Sequence, residues 1–467
     1  MKNSQAIPYK FIKLNADTLT PIGIFQSLAG NKKFLLESTF QHVEKGKYSF
    51  IGSGPYQEVI GDGNNTIIKN PESGHTEYRS QNALDYMREH FPKLEIDLPL
   101  PFHGGAVGYI GYDTIRQYED IGLSLMDDLN MPDIHFMVYK DVIIFDHSEE
   151  TVFAVVTNPD QQSEFLLDER LKFLRNNITT KPDPAEENPS SIDFEPEMTE
   201  AQFIEKVKIA KEKIHQGDIF QVVLSQKMKA KMNGEPLSFY RRLRRANPSP
   251  YMFYINFEEY LVLGASPESL IQTTGRDAVT NPIAGTRARG ETAQEDEALI
   301  KDLLADEKEI AEHRMLVDLS RNDLGRVCEI GSITIPTYMK IEKYQHVMHI
   351  VSEVKGRLKE NQSGLDALIS CLPAGTVSGA PKIRAMQIIN DLEEKKRGVY
   401  AGGIGYINFN HDLNIALAIR SLVIKEDCAY LQAGAGIVYD SVPVKEYQET
   451  LQKAKSLMEV YQIDSVN

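Results

Sequence analysis

The 467-residue sequence has few cysteines, a shortage of positive charge and no long apolar run. Its three cysteines, Cys328, Cys371 and Cys428, form no CxxC pair and no even-numbered framework. That excludes a disulfide scaffold and a cysteine-rich zinc site, and it fits a reducing cytoplasm. Lys and Arg number 51 against 67 Asp and Glu, a net charge of −16. Phosphate backbones are held by counterion release to basic side chains, so nucleic acid is not an expected partner. No segment approaches the ~18 consecutive apolar residues of a membrane span, so no membrane association is expected. The opening stretch MKNSQAIPYKFIKLN also lacks the apolar centre of a secretory signal. What is present, 42% hydrophobic and 25% charged residues, is the composition of a globular protein. At roughly 150 residues per domain, the length allows two large domains or three smaller ones.

Composition breaks at Asn176 to Glu200, where Pro182, Pro184, Pro189 and Pro196 stand among acidic and small polar residues. This reads as an exposed linker over 176–199, dividing a region 1–175 from a region 200–467. Before it, alternating runs such as Phe136 to Phe145 and Thr151 to Thr157 predict strands. After it, Thr199 and Gln202 form a capping-box pattern. Phe203, Val207, Ala210 and Ile214 continue as an amphipathic helix closed by Gly217. A strand over Ile219 to Met228, a basic helix around Tyr240 to Arg245 and a further strand from Tyr251 follow. Helices interspersed among hairpin-connected strands, without regular β-helix-β alternation, predict an α+β fold with antiparallel sheets.

Five features could carry chemistry. Pro373 to Lys382 (PAGTVSGAPK) precedes a helical pattern at Ile383, Met386 and Ile389. Glycines and hydroxyls before a helix N-terminus suit an anion, though an ordinary glycine-rich turn has the same composition and the spacing is not that of a P-loop. Gln432 to Ile437 is a second glycine cluster, readable as a ligand-facing strand end or as a plain turn. Glu312 shares a helix stripe with Met315, Leu316 and Leu319, so it is either a hard-cation ligand or a salt-bridge partner of Arg314 or Arg321. Glu449 lies off the apolar stripe Val444, Tyr447, Leu451, Ala454 and Met458, and its spacing favours a solvated face. His349 is either a general acid or base or a satisfied structural histidine.

Read together, these segments resemble the chorismate-utilising enzymes, and among them the anthranilate synthase component I family. The resemblance rests on NPSPYMFY (247–254), GASPESL (264–270), NPIAGTRARG (281–290), EKEIAEHRMLVDLSRNDLGRV (307–327), YQHVMHIVSEV (344–354), PAGTVSGAPK (373–382), YAGGIGY (400–406), ALAIRS (416–421) and QAGAGIVYDSVPVKEYQET (432–450). Near the N-terminus, Leu35-Leu36-Glu37-Ser38 resembles the tryptophan-binding element of the same proteins.

The resemblance implies large, mainly antiparallel sheets packed as a sandwich, with helices outside. It implies that Glu312 and Glu449 hold Mg²⁺ against the ring carboxylate of chorismate, overriding the periodicity reading of Glu449. Arg420 and Tyr400 would anchor the enolpyruvyl carboxylate. Thr376, Gly434, Ala435 and Gly436 would line the pocket, Gly285 and Thr286 would face them, and Lys382 would add local positive charge. Water-adding relatives would have Lys at Gln221, and aminodeoxychorismate synthases typically have a nucleophilic Lys at Ala284. Direct addition of ammonia at C2 is therefore expected, with Glu268 as the acid for the departing C4 hydroxyl and His349 associated with loss of pyruvate.

No cysteine lies on a glutaminase-type elbow, so a separate glutamine amidotransferase subunit is implied as the ammonia source. Ser38 with Pro250, Tyr251 and Met252 would form a tryptophan site for feedback inhibition of this first step of tryptophan biosynthesis. The alternatives are aminodeoxychorismate synthase component I and a catalytically silent tryptophan-binding subunit.

Overall fold

The computed structural model describes residues 7–38, 47–180, 192–344, 347–458 and 460. Period-two runs of aliphatic and aromatic residues pair into two twelve-stranded sheets in which neighbouring strands run antiparallel. The first sheet runs Tyr9–Asn15, Thr151–Thr157, Asp141–Asp146, Tyr48–Gly52, Phe34–Glu37, Tyr251–Asn256, Tyr260–Ser266, Ser421–Lys425, Cys428–Ile437, Gln221–Lys231 and Glu195–Pro196. The short strand Gly379–Ala380 joins it beside Gln221–Lys231. The second runs Ile283–Ala288, Val347–Arg357, Asp277–Thr280, Ser269–Thr274, Leu413–Leu417, Gly403–Asn408, Gly105–Ile110, Ile134–Tyr139, Gln57–Asp62, Asn65–Asn70 and His75–Arg79. Thr334–Lys343 pairs beside Val347–Arg357.

Alternation means that each strand offers one face to the space between the sheets and the other to the helices. Phe34, Phe50 and Phe253 of the first sheet and Tyr109, Met137 and Tyr406 of the second share the central cluster. Outside the first sheet, helices Pro21–Ser27, Glu164–Thr179, Pro236–Ala246 and Pro443–Met458 bury their apolar stripes. Outside the second, helices Ala83–His90, Glu307–Val327 and Gly364–Cys371 do the same, while Lys382–Leu392 packs against Gln221–Lys231 and Gly379–Ala380 of the first. The sandwich with outer helices is thus the architecture expected. No helix among the described residues is long and apolar enough to cross a membrane.

Two local expectations change. Phe136 to Phe145 is not one strand, because the chain passes at Lys140 from Ile134–Tyr139 in the second sheet to Asp141–Asp146 in the first. The expected linker is also partly built. Asn176 to Thr179 complete the helix Glu164–Thr179, and Glu195–Pro196 adds to a sheet edge, while 181–191 lie outside the described residues. Segments on either side of it share both sheets: Phe34–Glu37 pairs with Tyr251–Asn256, and Gly105–Ile110 with Gly403–Asn408. The capping box forms as read. Thr199 Oγ1 accepts from the Gln202 amide at 3.3 Å, and Gln202 Oε1 from the Thr199 amide at 2.9 Å.

Candidate active site

The strand Cys428–Ile437 lies against Gln221–Lys231 with Gly434, Ala435 and Gly436 opposite Ser225, Leu224 and Val223. The glycines make room here. A Cβ on Gly434 would come within 2.8 Å of Tyr400 Oη, and one on Gly436 within 2.7 Å of Gln221 Nε2. Tyr400 is buried, its phenol pushed up to about 12 by desolvation, so it stays a neutral hydroxyl.

Glu268 follows the strand Tyr260–Ser266 in a tight turn that Ser266 pins by donating to the Leu417 carbonyl at 2.6 Å. Its side chain is buried, and Thr376 Oγ1 donates to its Oε1 at 2.8 Å. Desolvation drives the Glu268 pKa up to about 7, although the Thr376 hydroxyl and the charges of Lys453 and Arg420 all pull it down. The carboxyl therefore exchanges its proton near neutrality.

Arg420 occupies a left-handed backbone conformation, φ 49°, and its guanidinium is buried enough for desolvation to lower its pKa. Glu268 and Tyr344 lie near enough to act on it electrostatically, yet no carboxylate comes within 4 Å of it among the described residues.

His349 lies on Val347–Arg357, opposite Thr286 across a bulge in Ile283–Ala288. Gly285 sits in that bulge with φ +80°, a conformation glycine adopts without strain. Thr286 Oγ1 lies 2.9 Å and the Gly285 carbonyl 3.3 Å from His349 Nδ1, and the Tyr344 ring packs edge-on at 5.2 Å. Burial first, and the Arg420 charge second, hold the imidazole pKa down at about 4, so it is neutral at physiological pH. A carbonyl can only accept, so the tautomer with hydrogen on Nδ1 satisfies Gly285 and leaves Nε2 with its lone pair.

The two carboxylates expected at a cation site lie on separate helices, Glu312 on Glu307–Val327 and Glu449 on Pro443–Met458. Gln221 Nε2 donates to Glu312 Oε1 at 2.9 Å, and Glu449 is half-exposed and paired with Lys453 at 2.8 Å. Among the described residues, no group of three acids, histidines or cysteines is already arranged as a metal cage. Glu309 and Glu446, three positions before each, escaped the sequence reading. Burial raises both their pKa values, and Glu312 and Glu449 respectively add like-charge repulsion. Their i,i+3 spacing was the available signal. Lys453, also missed, donates to the Gly434 carbonyl at 3.0 Å. Lys382 takes a different place from the others, paired with the largely buried Asp323 at 2.6 Å.

A second cavity, about 510 Å³, opens between the two sheets. Ser38, Pro250, Tyr251 and Met252 all line it, as do Glu37 and Tyr406. Ser38 Oγ is buried there without a hydrogen-bond partner among the described residues. Glu37 is held in the wall by Tyr240 Oη at 2.9 Å and Arg244 Nε at 3.1 Å. Gln345 and His346, within one of the family-like strings, lie outside the described residues.

Comparison with known proteins places these features in a family. The chorismate binding enzyme model matches residues 31–459. Anthranilate synthase component 1 of Lactococcus lactis subsp. lactis is 44% identical over 464 residues, covering 97% of this chain and 100% of that protein. The same component of Thermus thermophilus is 42% identical, with 98% of each chain covered. The crystal structure of anthranilate synthase component I from Streptococcus pneumoniae TIGR4 superposes with a TM-score of 0.83 at 40% identity, over 98% of this chain and 100% of that one. The menaquinone-specific isochorismate synthase of Escherichia coli shares the fold at a TM-score of 0.73 and 19% identity, over 98% and 97% of the two chains.

Proposed function

The chain belongs to the chorismate-binding enzymes, in the anthranilate synthase component I family, and from that premise we propose that it converts chorismate and ammonia to anthranilate and pyruvate. The observation that carries this reading at the site is Arg420, a partly buried and strongly desolvated guanidinium with no carboxylate within 4 Å among the described residues, near the Glu268 carboxyl that burial pushes up to about 7. A buried charge requires a partner. A carboxylate substrate supplies one, in the planar geometry that a guanidinium fork matches.

Ammonia adds at C2 while the C4 hydroxyl leaves. Hydroxide is a poor leaving group, and Glu268, half protonated near neutral pH, is suited to donate the proton that makes it water. Gln221 carries no group able to activate water, and Ala284 carries no nucleophile. Loss of pyruvate then aromatises the ring, and neutral His349 has a free Nε2 to receive the proton released. Tyr400 and Arg420 hold the enolpyruvyl carboxylate between the Gly434 to Gly436 backbone and Thr376 on one side and Gly285 and Thr286 on the other.

Glu312 and Glu449 would hold Mg²⁺. The donors are hard carboxylate oxygens, as that ion requires, and it is commonly bound by one or two carboxylates together with its substrate. Burial first, then repulsion from Glu312 and Glu449 respectively, raises Glu309 and Glu446, and a divalent cation would relieve that repulsion. When bound it supplies charge stabilisation and a fixed orientation for the ring carboxylate.

The ammonia comes from a separate glutamine amidotransferase subunit. Two of the three cysteines are poor nucleophiles, since burial pushes the Cys328 thiol to about 11 and Cys371 higher still, and Cys428 opens the interior strand Cys428–Ile437 with no glycine-flanked elbow around it. The 510 Å³ cavity is within the size range of small-molecule sites and takes tryptophan as feedback inhibitor. Tyr251 in its wall pairs with Ser266, two residues before Glu268, which gives inhibitor binding a short route to the acid. The enzyme works in the cytoplasm.

The test is incubation of the purified chain with chorismate, Mg²⁺ and ammonium at mildly alkaline pH. Anthranilate fluorescence with stoichiometric pyruvate is the expected result. An accumulating amino-cyclohexadiene would assign the chain to aminodeoxychorismate synthesis instead, and unchanged chorismate would refute catalysis.

A further inference from the structure

We propose that a small cavity beside Glu268, walled by Ser269 and Thr280, seats water that takes up the molecule leaving C4 and returns a proton from solvent to the carboxyl. The inference rests on the reading of Glu268 as the acid. The cavity measures about 30 Å³ and is lined by Glu268, Ser269, Thr280, Asn281, Ser320 and Thr376 among others. One water needs roughly 10–15 Å³ on this measure and at least two polar partners, so there is room for one molecule and little more than a second.

The partners are present. Ser269 and Thr280 are 7% and 5% exposed, and neither side-chain oxygen has a hydrogen-bond partner among the described residues. An unsatisfied buried hydroxyl costs about 1–3 kcal/mol. Two such hydroxyls on one water-sized space, with the Glu268 carboxyl and the Lys382-paired Asp323 in the same wall, mark a position that water fills. Asn281 and Ser320 are only partly buried, so the space reaches the surface between the helix Glu307–Val327 and the turn before Ile283–Ala288.

The chemistry requires such a port. When the C4–O bond breaks, the Glu268 proton goes to the departing oxygen, giving one water and a buried carboxylate. The nitrogen that bonded to C2 gives up a proton, and Glu268 must regain one before the next turnover. Bound substrate or product covers the direct route. A water donating to Glu268 and held by Ser269 and Thr280 returns the proton from the other side, and the same space accommodates the released water.

The test compares Thr280→Val, Ser269→Ala and their combination with Thr280→Ser, in the full chain with chorismate, Mg²⁺ and ammonium. The Val and Ala variants are expected to lower kcat severalfold and raise its solvent deuterium isotope effect. The KM values for chorismate and ammonium should stay within about twofold of wild type. Thr280→Ser, which keeps the hydroxyl, is expected to behave as wild type. An unchanged kcat and isotope effect in folded Thr280→Val would overturn the proposal. A raised ammonium KM with kcat retained would do so too, by assigning the cavity to ammonia. A crystal structure of the wild type should show water bound by both hydroxyls, and an empty cavity would refute the idea independently of turnover. If wild type makes no anthranilate, the functional reading itself falls, and that outcome is distinct from all of these.

Discussion

Replacing Thr376 by Val removes the hydroxyl that donates to Glu268 at 2.8 Å and keeps the shape of the side chain. A hydrogen bond to a charged acceptor is worth about 1.5–3 kcal/mol, and one pKa unit corresponds to about 1.4 kcal/mol. The Thr376 hydroxyl favours the carboxylate, so losing it favours the protonated acid. The Glu268 pKa, already pushed up to about 7 by burial, should therefore rise by about one to two units further. A general acid works while protonated, so the basic limb of the kcat profile should move to higher pH by the same interval. The assay measures kcat at saturating chorismate and Mg²⁺ across this range, with total ammonium adjusted at each pH to hold free ammonia constant. Thr376→Ser keeps the donor and should leave the limb in place. Stability provides a second readout. In the wild type the folded pKa lies above the ordinary 4.5, so Glu268 contributes stability below about 4.5 that is lost as pH rises through about 7. In Thr376→Val that loss should extend to higher pH. A basic limb that stays put, or moves to lower pH, in a folded Thr376→Val would refute the assignment of Glu268 as the acid tuned by Thr376.

Three further outcomes are expected. Arg420→Lys keeps the charge but removes the bidentate fork, so KM for chorismate should rise about ten- to a hundredfold; an unchanged KM would remove Arg420 from the substrate site. Glu312→Gln preserves an acceptor for Gln221 and should abolish Mg²⁺-dependent turnover with unaltered far-ultraviolet circular dichroism, and a fully active variant would refute the ligand role. Ser38→Phe fills part of the 510 Å³ cavity and should relieve tryptophan inhibition of anthranilate formation; inhibition equal to wild type would exclude that cavity as the effector site.

Local structure was legible wherever one residue's chemistry determines its neighbours' geometry. The Thr199 and Gln202 box, the strand Thr151–Thr157 and the Pro443 helix start all follow from spacing and capping chemistry. The passage between sheets at Lys140 was not legible, because alternation continues through it and only the tertiary partners differ. Nor could pattern reveal that Leu35 pairs opposite Tyr254, a contact more than two hundred residues apart, fixed by the global fold. Glu268, the proposed acid, sits in a turn whose sequence reads equally well as a cap. What sets it apart is its burial, beside Thr376 and in a turn pinned to Leu417, both far away in the chain. Glu449 shows the converse. Spacing predicted exposure and the side chain is half-exposed, so only its likeness to known proteins suggested a ligand role.

The net charge of −16 would by itself predict repulsion of a dicarboxylate, and the structure shows how the field is arranged locally. Positive charge is concentrated at Arg420, which no carboxylate neutralises within 4 Å among the described residues, while Lys453, beside the Gly434 carbonyl, is paired with Glu449. Negative charge gathers at Glu309, Glu312, Glu446 and Glu449, where burial first and like-charge repulsion second raise the pKa values of Glu309 and Glu446. On the proposed function, a substrate with two carboxylates would meet opposite fields at its two ends, one drawn to the guanidinium and the other repelled by the glutamates. Only a cation shared with those glutamates would make the second end favourable. Substrate and cation must then strengthen each other's binding by the same factor, since coupling between two ligands is reciprocal. On that proposal, the acidic residues that argue against an anionic ligand in isolation would, with a divalent ion present, select a dicarboxylate over a monocarboxylate.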